Sequence, residues 1–238
     1  MTRAIWSTLV VLVIVGVAAA IGRAAYIDDF GARVDPVRER GMTALHRTEP
    51  FPYERAAEIA AVDKKYAEHP ILILLHVLPG ALFLLLAPFQ FSKRIRSRHI
   101  RYHRWSGRTL LVLAILSVLP ALYFGIRTPV GGPAETPVIA IVAGLFVTAV
   151  IRGFVAIRRR EIARHREWMI RLFAIAIGIS TVRVVAGFVD IALTPSGYRI
   201  PDLFVVSIVI GWVLTIGAAE LWIRYTRSPN ASPVPVTA

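Results

Sequence analysis

Ile71 to Arg108 reads ILILLHVLPGALFLLLAPFQFSKRIRSRHIRYHRWSGR, and its two halves decide the fold. The first half is apolar for about 20 residues, the helix length that crosses a hydrocarbon core of ~30 Å. The second, Ser92 to Arg108, carries seven Lys/Arg and no acid. A long apolar run closed by a concentrated basic loop is how a polytopic membrane protein alternates, and the positive-inside rule makes that loop cytoplasmic.

Five similar runs flank this one, giving spans at Ala4 to Gly22, Ile71 to Phe91, Thr109 to Ile126, Pro137 to Ile157, Met169 to Leu193 and Leu203 to Ile223. Each must satisfy its own backbone amides in lipid, so each is expected to be helical, giving an all-α transmembrane bundle. The loop from Arg158 to Arg171 holds six Arg against Glu161 and Glu167, whereas Arg23 to Pro70 sets eight bases against nine acids. Both basic loops are therefore cytoplasmic, and with six spans so are both termini, as in a multi-pass bacterial inner-membrane protein. The formal charge of +13 thus reads as an orientation signal rather than a nucleic-acid one. Trp6, Trp105, Trp168, Trp212 and Trp222 fall mostly near span ends, as an interfacial belt requires.

Four segments follow: an N-terminal anchor at 1–22, an outer-face segment at 23–70, a five-helix membrane domain at 71–227 and a disordered tail at 228–238. Arg3, the first apolar run and Ala18-Ala19-Ala20 also resemble a signal peptide. The run is long for one, so it is read as an uncleaved anchor; cleavage would leave five spans. Tyr53 to Ala67 is rich in helix formers and is expected to lie as an amphipathic helix on the outer membrane face. Two hairpins repeat a pattern, since Tyr102-His103-Arg104-Trp105 and Arg164-His165-Arg166-Glu167-Trp168 each open a second helix on the cytoplasmic side.

The absence of cysteine excludes disulfides, thiolate-ligated haem, cysteine-bound clusters and cysteine nucleophiles. No Walker loop, dinucleotide fingerprint or His-Glu-x-x-His motif occurs, so no catalytic residue is assigned. Two polar constellations remain. The inner one comprises His99, His103, Arg104, Arg108, His165, Arg166 and Arg171, with Gly107 following on the face shared by His99 and His103. Two imidazoles suit six-coordinate haem iron and arginines suit its propionates, so one b-type haem between His103 and His165 is a specific reading. A quinone, a phosphate or an anionic lipid headgroup fits the same set. So does a plain interfacial role. No second histidine follows His76 or His103 at the spacing of two-haem bundles, so one haem is the maximum.

The outer constellation comprises His76, Arg183 and Asp190, with Gln90 beside Pro88 as a further polar member of the pocket. His76 lies about 7 Å below the start of its span and Arg183 about 9 Å from the outer surface, so they share a depth. A charge inside a span is costly and faces a partner or a water-filled cavity. Pro79 lacks the amide that would bond the Leu75 carbonyl, which favours a kink beside His76. The set reads either as a ligand pocket open to the outer leaflet or as packing glue between helices. Ala174 and Gly178 offer a small-residue face for another helix, such as that of a membrane-protein partner.

The run His69-Pro70, Leu75-His76-x-x-x-Gly80, Ala87-Pro88-Phe89-Gln90-Phe91, Arg96-x-Arg98 and His103-Arg104-Trp105-x-Gly107-Arg108 resembles the signature of an uncharacterised bacterial integral-membrane family, catalogued as a domain of unknown function. His165-Arg166-x-Trp168-Met169-x-Arg171 and Arg183 match its second half. The resemblance runs from Tyr66 to Tyr225, with Ala87 where the family usually has Gly. It implies an architecture and candidate residues without supplying a reaction. The expectation is thus a redox or ligand-binding module with haem, or a non-enzymatic transporter-like or accessory protein with an outer pocket. The bilayer and anionic headgroups at the basic loops are the expected partners.

Overall fold

The computed structural model describes residues 3–30, 53–193 and 200–227, and all regular structure among them is helical. The helices are α1 (Arg3–Ala25), α2 (Tyr53–Ala67), α3 (Pro70–Gln90), α4 (Lys93–Arg98), α5 (Ile100–Arg127), α6 (Glu135–Arg158), α7 (Ile162–Leu193) and α8 (Ile200–Thr226). Six of them, all but α2 and the short α4, are long and apolar enough to cross a membrane. The expected disordered tail at 228–238 lies outside the described residues.

Two spans begin earlier than hydropathy indicates. Helix α5 starts at Ile100 rather than Thr109, and α7 at Ile162 rather than Met169. Hydropathy sees only the lipid-compatible window, whereas the i to i−4 ladder continues as long as the residues favour helix. The basic turns Arg101 to Arg108 and Arg164 to Arg166 are such residues, so α5 and α7 run on into the basic face of the molecule. Between α6 and α7, Arg160 takes the left-handed φ of 62°, and the Glu161 amide reaches back to the Ala156 carbonyl at 2.9 Å. That closes α6 with an αL cap and turns the chain within three residues.

Helix α7 is the hub of the bundle: it packs against α8, α6, α1 and α3, while α3 also pairs with α5 and α1. Close approach depends on small residues, the usual means of helix association in lipid. A Cβ on Gly211 of α8 would lie 2.8 Å from the Val182 backbone nitrogen of α7. Gly178 of α7 admits the Trp212 indole, whose Nε1 donates to the Ile175 carbonyl at 3.0 Å. Two expectations are corrected here. Trp212 is buried between helices rather than standing in an interfacial belt, and the face of Gly178 is filled by α8 of the same chain rather than by a partner. The main core joins Phe83, Leu110, Phe146, Ala149, Leu172 and Phe173 of α3, α5, α6 and α7.

Candidate functional site

Helix α2 caps one end of the bundle. Its Asp63, only 2% exposed, accepts from Arg23 of α1 at 2.8 Å, and the Arg23 guanidinium also lies 4.9 Å over the Tyr66 ring. Lys65 donates to the Pro129 carbonyl at 2.8 Å, while Tyr66 meets Phe124 of α5 edge to face. These ties span the connection between α5 and α6, where Glu135 is buried and accepts the Gly131 amide at 2.7 Å. His69, at the head of α3, stands edge-on to Tyr123, 3.3 Å from its hydroxyl.

His76 lies two turns below the head of α3. Its Nδ1 is 2.9 Å from the Ser117 carbonyl of α5; a carbonyl only accepts, so Nδ1 carries the proton. Ser117 returns the bond, its hydroxyl donating to the His76 carbonyl at 2.8 Å. Pro79 and Pro120 remove the amides that would bond the carbonyls of Leu75 and Leu116, loosening both ladders beside this clamp. Gly80, one turn on, admits Ser117 Oγ 3.0 Å from where its Cβ would be. The His-x-x-x-Gly spacing is therefore the α3–α5 seam. The clamp is packing glue at Nδ1, and it leaves Nε2 without a protein partner among the described residues.

Arg183 is the charge that none of these pairs absorbs. It lies three residues beyond the fully buried Ser180 on α7. Among the described residues its guanidinium makes one hydrogen bond, to the Ile179 carbonyl one turn back in its own helix at 3.3 Å. Its charge acts on both His76 and Tyr66, and its side chain is exposed. One wall of an open cleft would present that combination. Burial pushes the Tyr66 hydroxyl above its usual range, Glu135 and Asp63 reinforcing the shift while Arg23 and Arg183 oppose it. Arg183, His76, Tyr66 and the Arg23–Asp63 pair thus converge from four helices.

Two residues of the sequence-derived pocket are not brought to this cleft by what is described. Gln90 stands fourteen residues beyond His76, about 21 Å along the same helix, and donates to Ser106 Oγ at 2.6 Å. It belongs to the opposite end of the α3–α5 seam, where Gly107 admits its Oε1. The side chain of Asp190 lies outside the described residues.

At the basic face, His165 Nδ1 is 2.9 Å from the Gly153 carbonyl of α6, which leaves Nε2 unspent. His103 has a buried Nδ1 with no hydrogen-bond partner, and His165 lies within electrostatic range of it. Arg104 and Arg108 are exposed beside His103, with Arg108 over the Trp105 ring at 5.2 Å. Arg166 turns elsewhere, donating to Thr226 of α8 at 2.8 Å. Arg171 is held by Glu220 through two bonds of 2.6 and 2.9 Å. Glu167 grips Arg227 and raises its pKa through that pair. These bonds fasten α7 to α8 beside an apolar cavity of about 220 Å³. No group of three or more His, Asp or Glu able to hold a metal ion occurs among the described residues.

Sequence reasoning missed Glu220, Asp63, Tyr66 and Ser117. Glu220 left a signal: an acid alone in the last span needs a cation, and Arg171 supplies it. The others left none, because a hydroxyl or a loop acid becomes specific only when folding brings its partner. No curated protein and no solved structure matches the chain. The model of the family described as "Predicted membrane protein (DUF2306)" matches residues 73–223, from α3 to the last turn of α8, and the chain belongs to that family.

Proposed function

We propose that the protein is a non-enzymatic, transporter-like or accessory membrane protein that receives a polar ligand in the cleft at its α2 face. The basic loops then face the cytoplasm and the cleft opens outward. One observation carries this reading: Arg183 is an exposed charge on a membrane helix and has no carboxylate partner among the described residues. A charge at such a position costs several kcal/mol in hydrocarbon and is retained where it faces a partner or water.

The chain has no cysteine, which makes a direct test simple. A Cβ at Gly187, one turn from Arg183, meets nothing within 4 Å, so Gly187→Cys should fold normally. A membrane-impermeant maleimide is expected to label it from the α2 side. Absence of labelling, or labelling only from the basic side, overturns the reading.

A second reading is favoured by His103 and His165. The backbone bond at His165 Nδ1 is what orients an imidazole to bind metal through Nε2, and His103 Nδ1 is buried and unspent. Two imidazoles suffice only for a metal that brings its other ligands, which is the case for haem. The pair would hold one b-type haem, with Arg104 and Arg108 available to its propionates, and such a group would supply one-electron redox chemistry. Protein purified after haem-supplemented expression should show a Soret band that His103→Ala and His165→Ala each abolish. Colourless folded protein removes this reading.

A further inference from the structure

The ligand of the α2-face cleft can be read from what its polar groups have left to give. The described carboxylates at this end are already committed. Asp63 is paired with Arg23, and Glu135 accepts the Gly131 amide with the Lys65 charge acting on it. Two donors remain. The Arg183 guanidinium has spent one N–H on its own helix and the Tyr66 hydroxyl donates to no described residue, while His76, protonated at Nδ1, offers only a lone pair at Nε2. Burial keeps that hydroxyl protonated beyond the usual tyrosine range, so it remains a donor at neutral pH. Among the described residues the cleft therefore has a surplus of one cation and of hydrogen-bond donors, against one neutral acceptor at His76 Nε2.

Resting on the pocket reading above, we infer that the cleft binds an oxyanion, a carboxylate or a phosphate, on Arg183 with the Tyr66 hydroxyl as the flanking donor. A planar guanidinium presents a fork that fits two oxygens of either group. A cation is disfavoured by the same surplus. A neutral ligand would leave the guanidinium uncompensated. Because Tyr66 belongs to α2 while Arg183 belongs to α7, the bound anion also fastens the cap to the bundle. The source is either a soluble anion or the headgroup of an anionic lipid.

The test uses the full chain and its thermal unfolding. In detergent, sodium phosphate and sodium acetate are titrated against sodium chloride at matched ionic strength. In nanodiscs, phosphatidylcholine alone is compared with phosphatidylcholine containing phosphatidylglycerol. Saturable stabilisation by phosphate or acetate over chloride identifies a soluble oxyanion, and stabilisation only in phosphatidylglycerol discs identifies a headgroup. Either supports the inference if Arg183→Gln abolishes it. Tyr66→Phe keeps the ring against Phe124 and should weaken binding about tenfold, the loss of one hydrogen bond to a charged group. Should Arg183→Gln fail to fold, Arg183→Lys keeps the charge without the fork, and a loss of affinity there serves instead. No stabilisation beyond chloride in either medium, or a full effect in both Arg183→Gln and Tyr66→Phe, overturns the inference. Labelling of Gly187→Cys separates the two failures: a labelled cysteine with no anion effect leaves the pocket standing and removes only its ligand class.

Discussion

Arg23 and Asp63 lie forty residues apart in sequence and meet at 2.8 Å, with side-chain exposures of 12% and 2%. Breaking it removes a charged hydrogen-bond partner from a buried carboxylate. Arg23→Met should therefore destabilise the protein by about 1.5–3 kcal/mol. Thermal unfolding in detergent reads it; equal melting of wild type and Arg23→Met would show that the pair carries no stability. His76 and Arg183 differ from this pair in kind. His76 was legible as an in-membrane imidazole, but its role as half of a reciprocal clamp with Ser117 was not, because a serine in an apolar run carries no mark of its partner. Arg183 was legible as a charge inside a span, since its cost in lipid does not depend on where the other helices stand.

Glycines decide how closely α7 and α8 approach. The Cβ of alanine at position 211 would lie 2.6 Å from Val182 Cγ2 and 2.8 Å from the Val182 backbone, which cannot yield as a side-chain tip can. Gly211→Ala should cost about 1–3 kcal/mol by overpacking. Gly217→Ala, with nothing within 4 Å, should be neutral or slightly stabilising. Melting temperatures compare them, and equal loss from both would show that backbone proximity is not the cause. The elements themselves were legible. Six apolar windows gave six helices, and the helix formers of Tyr53 to Ala67 gave α2. Their lengths were not, because hydropathy marks where lipid ends and helix propensity carries α5 and α7 past that point. Gln90 shows the same division. Its place at the end of a span was readable, but only the α3–α5 seam sends it to Ser106 and away from His76.

Across the whole molecule, charge and polarity are sorted toward two ends. The basic end holds the Arg171–Glu220 and Arg227–Glu167 pairs that bind α7 to α8, with His103 and His165 nearby. The capped end holds the Arg23–Asp63 pair and Arg183. The sequence by itself determined membrane class, the number of spans, the segregation of basic loops and the cost of Arg183, because each follows from transfer free energies that act locally along the chain. Only the tertiary structure decided which polar residues are spent and which are left over. Pairing depends on which helix faces meet across the bundle, and small residues such as Gly16, Gly178 and Gly211 fix that by letting α1, α7 and α8 approach.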